Sequence, residues 1–504
     1  MRRRFGLFGA AVVVLVLVYV VAWGTGSGSS TNTASAAAQA AAVTSVTRSC
    51  PPPAPNTGKA SIVTASAPGT AASSHTATGS ATLTSVPSAS TAAANAKAAP
   101  KTNAKATAKA SAQTAQKPIT ATTPNAAFFT AAPEAAQSGA TQVNATGAMA
   151  AGLGAEQATA NGTGTVSCVH PGADMWFVGT GQDAGASDIW LDLTNTGKMA
   201  ATVDVTIFTD SGEQDALNDG ITVPADQYLS VNLAQYVKGS TALAVQVQTS
   251  SGQVAGNVWE SGGGSDGAWL PVASSPSTSL VIPGLTAGTA AKLFVAVPGA
   301  ADAQVKVEAF TAQGKFLPFG SAAQDAPAAA ASSFPLNSLG VSAATLVLTS
   351  NVPITAGVLV PGNGIGGFTA AAAPISEQGV VAGNPSGGGN TVGLTLAAPS
   401  AAARVFVQIL PANPSRSRVP SPRTYTVQAA HTLAVTVAAP KGGSGPFAIV
   451  LTPERGSGPL YAARVVVSGG NGLLGQLQSV LPVQSAPTTV QLPPATSSYS
   501  AVLP

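Results

Sequence analysis

Apolar residues fall into two patterns along this chain. Near the start, Phe5 to Trp23 form an uninterrupted run of nineteen residues without a charge, preceded by Arg2, Arg3 and Arg4. At about 1.5 Å rise per residue, a helix of that length spans roughly 28 Å, close to a bilayer's hydrocarbon core. Much further on, apolar and polar residues alternate one by one, the period of β-strands with one buried and one solvated face. Ile189-Trp190-Leu191-Asp192-Leu193 is followed, after a polar turn, by Val203-Asp204-Val205-Thr206-Ile207-Phe208. The same pair returns as Leu293–Val297 with Val305–Phe310, and again as Val392–Leu396 with Val405–Ile409. Later strands repeat too: Val245 and Val247 correspond to Leu346 and Leu348, then to Ile449 and Leu451.

The repeat is about 100 residues long, too long for a solenoid unit and the size of an immunoglobulin-like sandwich. The pattern predicts an all-β protein: three tandem immunoglobulin-like β-sandwich domains after an N-terminal transmembrane helix and a low-complexity stalk. The expected boundaries are 1–26 for the cytoplasmic tip and signal anchor, and 27–135 for a mostly disordered Ala/Ser/Thr/Lys stalk. The sandwiches follow at 136–276, 277–376 and 377–504. Within the stalk, Ser61–Thr64 and Ala81–Val86 alternate briefly and are candidate strands. Trp176, Trp190, Trp259 and Trp269 fall in the first expected sandwich, which should pack best.

Trp23 suits an interfacial anchor, and the apolar run exceeds the 7–15 residues usual in a cleaved signal. An uncleaved signal anchor is the favoured reading, although the Ala/Ser-rich stretch behind it could hold a cleavage site. The arginines place the N-terminus in the cytoplasm and the bulk of the chain outside, as a single-pass cell-membrane protein.

Charge adds an asymmetry. Charged residues make up only 8% of the chain, against about 25% in ordinary domains. Residues 1–133 hold ten basic residues and no acidic one, whereas the rest of the chain is net acidic. The basic stalk suits anionic lipid or wall polymer, or simply keeps an Ala-rich linker soluble. Its lysines carry no interleaved aromatics, so nucleic acid is not an expected partner. The two cysteines, Cys50 and Cys168, are expected to form a disulfide in an exported chain. The closed loop would stabilise the fold by about 4–5 kcal/mol on chain-entropy grounds.

The Cys50-Pro51 step, Ser167-Cys168-Val169-His170-Pro171 leading into Trp176-Phe177-Val178-Gly179, Leu193-Thr194-Asn195, and Val281-Ile282-Pro283-Gly284-Leu285 followed by Val297-Pro298-Gly299 resemble an actinobacterial family of secreted or anchored proteins classified only as a domain of unknown function. The resemblance implies an extracytoplasmic cell-envelope protein and supplies no catalytic signature.

Catalytic chemistry finds no foothold. His75, His170 and His431 are far apart, with no HExxH, His/Cys cluster or GxSxG motif. No catalytic, cofactor-binding or metal-ligating residue is assigned and no cofactor is expected. Ten of the nineteen acidic residues lie between Asp174 and Asp226. Asp210, Glu213, Asp215 and Asp219 could offer oxygens to Ca²⁺, or form a solvated loop that guards strand edges. The leading expectation is a non-enzymatic envelope protein acting as spacer or docking scaffold. The alternative is a binding module for cell-wall polysaccharide or a partner protein, and an enzyme ranks third. No small-molecule substrate is identifiable.

Overall fold

A computed structural model describes residues 39–54, 61–68, 78–89, 119–121, 128–130, 139–159 and 164–492, except 263–266, 287–289, 321, 337–338, 340–342, 363–365, 443–444 and 470–475. The expected transmembrane segment, His75 and the lysines at 97–109 lie outside these residues. Among the described residues no helix is long and apolar enough to cross a membrane. Apart from the 3₁₀ turns Gln182–Ala184 and Ala234–Tyr236, the regular structure is all strand.

Two compact units are distinguished. The smaller contains one antiparallel pair, β1 (Gln39–Ala42) with β34 (Thr489–Leu492). The larger, Val43–Thr488, holds four sandwiches of two sheets each. The first comprises β2 (Ser45–Cys50), β3 (Ser61–Ser66), β4 (Gly79–Val86), β5 (Ile119–Ala121), β6 (Phe128–Thr130), β7 (Ala140–Gly147), β8 (Gly154–Thr159) and β9 (Val166–Ser167). The second comprises β10 (Asp174–Thr180), β11 (Asp188–Asn195), β12 (Ala201–Thr209), β13 (Gly212–Val223), β14 (Gln227–Asn232), β15 (Ala242–Ser251), β16 (Ala255–Ser261) and β17 (Gly267–Leu270). In the third are β18 (Ser277–Leu285), β19 (Ala291–Val297), β20 (Ala303–Thr311), β21 (Gly314–Phe316), β22 (Gln324–Ala326), β23 (Ala330–Leu336), β24 (Ala344–Val360) and β25 (Gly367–Ala370). The fourth has β26 (Gly379–Asn384), β27 (Asn390–Ala398), β28 (Ala403–Pro411), β29 (Arg423–Val427), β30 (His431–Val437), β31 (Phe447–Pro453), β32 (Tyr461–Ser468) and β33 (Gln476–Pro482).

Their topology is the same. Numbering strands within a sandwich, one sheet runs first-sixth-third-fourth and the other fifth-second-seventh-eighth, as in β10-β15-β12-β13 with β14-β11-β16-β17. The third sandwich conforms with one economy. The seventeen-residue β24 supplies its sixth and seventh strands, pairing with β18 and β20 through its first half and with β19 and β25 through its second. The repeated strands β12, β20 and β28 occupy the same third position. Val203, Val205 and Ile207, then Val305, Val307 and Ala309, then Val405, Val407 and Ile409 are buried, while Lys306 is exposed and Asp204 and Glu308 are half-buried. A one-residue slip would turn all these side chains outward, so burial of one face fixes the register.

Two expectations need correction. There are four sandwiches, not three, and, apart from β1, the strands described within the expected disordered stalk belong to the first of them. β2 to β6 share two sheets with β7, β8 and β9 around Val63, Ala65, Ala81, Leu83, Val143, Ala145, Met149 and Leu153. Small residues fill this core, so the sequence reads as low complexity, and the Cys50–Cys168 disulfide crosses it. Accordingly, residues expected at the start of a sandwich beginning at 136 complete one begun at Ser45. Phe406, an apolar residue at an outward position of β28, is 43% exposed and paired across strands with Thr424 and Thr452.

Candidate functional site at the junction of four sandwiches

The sandwiches of the larger unit pack on one another in a closed circuit. Against the second sandwich the third places Phe294, Ala296, Ala331, Phe368 and Ala370, which join one apolar cluster with Trp176, Val178, Phe208 and Ala244. Trp176 and Phe208 stack at 5.8 Å. Third and fourth meet through Ala463, Val465, Val467, Leu477 and Val480, which extend the third sandwich's core. First and second meet over an outer sheet face where Trp190, Trp259 and Trp269 cluster with Ala54 and Val166. Trp259 and Trp269 lie edge to face at 5.1 Å. These aromatics are therefore seam residues, with Trp259 and Trp269 buried.

First and fourth are joined by charge. Glu156 on β8 accepts the backbone N–H of Ala382 at 2.8 Å and of Gly383 at 3.2 Å. Those N–H groups are free because β26 shifts register between Val381 and Asn384, where a bulge breaks the ladder. Arg464 on β32 brings its guanidinium within 3.9 Å of Glu156 and donates to Ser479 at 3.1 Å. Burial pushes the carboxyl up and the guanidinium down, and their mutual attraction opposes both shifts.

Connectors between the sandwiches converge on one cavity of about 190 Å³. Val166, Ser167 and Val169 come from the passage between first and second, and Leu270 to Ser274 from that between second and third. Ala371 to Ala373 come from the passage between third and fourth, and Leu481 to Ser485 from the end of the fourth. Hydrogen bonds tie these connectors together: Ala273 N donates to Trp176 O, Ser274 N to Ala371 O, Ala372 N to Val281 O, and Ser49 N and Val169 N to each other's carbonyls. Asn257 completes the lining, and its buried Nδ2 has no hydrogen-bond partner among the described residues. Beside the cavity, Arg48 donates to the Ser485 carbonyl at 3.4 Å; burial lowers its guanidinium to about 10.

Two more acids are buried in the second sandwich. Asp192 is raised by burial to about 7, against the opposing hydrogen bond from Ser230. Glu260 is raised by burial to about 8 and accepts the N–H and hydroxyl of Thr180. Neither was singled out from the sequence. A signal was there for two of these charges: Glu260 shares strand parity with core Val258, and Arg464 with Ala462 and Val466, so each points inward.

The sequence candidates are scattered. The rings of His170 and His431 each place Nδ1 against a neighbouring backbone carbonyl, Pro171 O at 2.7 Å and Ala429 O at 2.8 Å. Asp210 accepts the N–H and hydroxyl of Thr241, each at 2.8 Å. The side chains of Asp215 and Asp219 lie outside the described residues. Among the described residues no group of three His, Cys, Asp or Glu is placed to hold a metal ion.

What the fold and the junction define is a multi-sandwich β protein with Trp190, Trp259, Trp269 and the buried pair Glu156–Arg464 on its internal seams. The chain belongs to the family of unknown function DUF5719, whose model matches residues 129–438, from the middle of the first sandwich to the end of β30. No curated protein matches it.

Proposed function

We propose that this chain is a membrane-anchored, extracytoplasmic envelope protein without catalytic activity, whose immunoglobulin-like sandwiches serve as a rigid spacer and docking scaffold. The observation that carries the reading is the closed circuit of four seams within Val43–Thr488. Residues that would ordinarily recognise a ligand, the tryptophans above all, brace sandwich against sandwich, which suits a part that holds a fixed distance. The Cys50–Cys168 bond supports an oxidising compartment, and Arg2–Arg4 ahead of Phe5–Trp23 support a single-pass anchor with its bulk outside. Crosslinking the full chain in intact cells, then identifying the adducts, tests the role. A recurrent envelope protein coupled to the outer sheet faces is the expected result. Adducts with wall polymer alone favour the alternative, a polysaccharide-binding module, and turnover of a wall substrate by the purified chain refutes the non-enzymatic reading.

A further inference from the structure

We propose that one end of the fourth sandwich is a binding platform for a linear polyanion, a polymer whose repeating units carry phosphate or carboxylate groups. The first observation is a loop. In the second and third sandwiches two residues join the third strand to the fourth: Asp210-Ser211 between β12 and β13, and Ala312-Gln313 between β20 and β21. In the fourth sandwich the same connection, between β28 and β29, runs for eleven residues from Ala412 to Pro422. The fold closes this hairpin with two residues elsewhere, so its topology does not need the extra length. An elongated loop on a rigid scaffold is where binding residues concentrate.

The second observation is charge. Between Glu377 and Glu454 the chain has five basic residues and no acidic one. Arg416 and Arg418 lie in the loop, Arg423 opens β29, and Lys441 lies in the connection between β30 and β31; all four are exposed. Lys198, Lys315 and Arg404 each hold a carboxylate within 3.0 Å, whereas these four have no acidic partner among the described residues. The backbone sets two of them side by side. Arg418 N donates to Lys441 O at 2.7 Å and Lys441 N to Arg418 O at 3.0 Å. Such an antiparallel pair has Cα atoms about 5.5 Å apart and both side chains on one face. Ala412 N donates to Pro446 O at 3.1 Å and ties the two connections together again. Pro414, Pro420, Pro422 and Pro440 fix φ along them, so the cations are not free to part. Like charges directly opposite each other are destabilising, and an oxyanion seated between Arg418 and Lys441 turns that repulsion into attraction. The arginine fork accepts phosphate or carboxylate through two parallel bonds. Val419 is the loop's one large exposed apolar side chain, too little for the apolar core of a protein interface. A charged polymer needs no such core.

The platform and the docking role fail separately, since one concerns a loop end and the other the outer sheet faces. Long-chain inorganic polyphosphate and polygalacturonate are the probes, with dextran and phosphatidylglycerol vesicles for comparison. Each is titrated with the full-length chain in neutral detergent. Lys97, Lys101, Lys105 and Lys109 are replaced by glutamine throughout, to remove most of the stalk's charge. A polyanion should bind and dextran should not; binding of one polyanion alone identifies phosphate or carboxylate as the group recognised. Arg416→Ala with Arg418→Ala should weaken binding about tenfold to thirtyfold. It should also flatten the slope of log affinity against log salt by about 1.4, roughly 0.7 per lost contact. This variant should melt no lower than the parent, because it relieves opposed like charges. Lys238→Ala with Arg455→Ala removes the same charge from the second sandwich and from the connection between β31 and β32, at the opposite end of the fourth. That control should change binding by less than about twofold, since distant exposed charges are screened. The proposal falls if neither polyanion binds, or if the loop variant loses no more affinity than the control. It also falls if the vesicles bind more tightly than either polymer, which would make the platform a membrane contact.

Discussion

Replacing Glu260 by glutamine should change how stability depends on pH and little else. The carboxyl lies at the end of the second sandwich's core, with Thr180 N–H donating at 3.1 Å to Oε1 and 3.3 Å to Oε2. Beside it sits Gly179, where an added Cβ would meet Glu260 Oε1 at 2.5 Å, so the carboxyl fills a space the glycine leaves open. Burial raises this acid from 4.5 to about 8. Between those values the folded chain keeps a proton that the unfolded chain has released. The folded state is thus fully stable below the unfolded value and loses stability as pH climbs through the folded one. One proton is worth about 1.4 kcal/mol per pH unit, so going from pH 5.5 to 7.5 costs about 3 kcal/mol from this group. Glutamine has no proton to lose and its carbonyl still accepts from Thr180. Asp192 titrates in both proteins and drops out of the comparison. Four of the five tryptophans lie in this sandwich, so urea unfolding followed by tryptophan fluorescence reports on it. Glu260→Gln should match the parent within about 1 kcal/mol at pH 5.5 and exceed it by about 2–3 kcal/mol at pH 7.5. Parallel pH profiles for the two proteins would show that Glu260 is ionised in the folded chain and refute the reasoning.

Gly357→Ala should loosen the seam between the second and third sandwiches, because the new Cβ would sit 2.6 Å from the Val178 carbonyl oxygen, a backbone atom that cannot swing away; a loss of about 1–3 kcal/mol is expected in thermal unfolding. Glu156→Ala strands Arg464 and two β26 N–H groups and should cost about 3–5 kcal/mol, with Glu156→Gln milder because it keeps an acceptor; denaturant titration separates the two. Replacing both Cys50 and Cys168 by serine should cost about 4–5 kcal/mol, read as protease sensitivity confined first to peptides of residues 45–167.

The repeated sandwiches were legible wherever a strand has one wet face. Val305, Lys306, Val307 and Glu308 announce their register, because an inward valine and an outward lysine differ as much as two side chains can. The first sandwich was not legible, for a physical reason. Ser61-Ile62-Val63-Thr64 and Ala81–Val86 were noticed as strand-like, but Ala65, Ala81 and Ala145 bury little area each, and the disulfide supplies constraint that no alternation pattern records. Pairing of Cys50 with Cys168 was readable from their even count in a chain expected to be exported. The junction was invisible for another reason. Pro271 to Ser274 and Ala371 to Ala373 carry no reactive chemistry, and only the folding of four sandwiches onto one another brings them together with Asn257. The tryptophans were read as one domain's packing, whereas Trp190, Trp259 and Trp269 serve the seam with the neighbouring sandwich.

The scarcity of charge and the abundance of small residues follow from that circuit. A sandwich standing alone presents the outer faces of both sheets to water and needs polar residues along them. Here outer faces are turned against neighbours, and strands such as β19 and β32 are buried along most of both sides. Two sheets that approach back to back need small side chains at the contact. Ala296, Ala331 and Ala370 provide them at one seam, and Ala463 at the next. Gly284 shows the limit of the approach. It adopts φ +99°, and a Cβ there would lie 2.7 Å from Val480 Cγ2 and 2.8 Å from the Ala463 methyl. It stands in the Val281-Ile282-Pro283-Gly284-Leu285 segment, one of those on which the family resemblance rested. That segment is thus intelligible without any ligand or catalytic role, as the place where one sandwich must come within a methyl group's reach of the next.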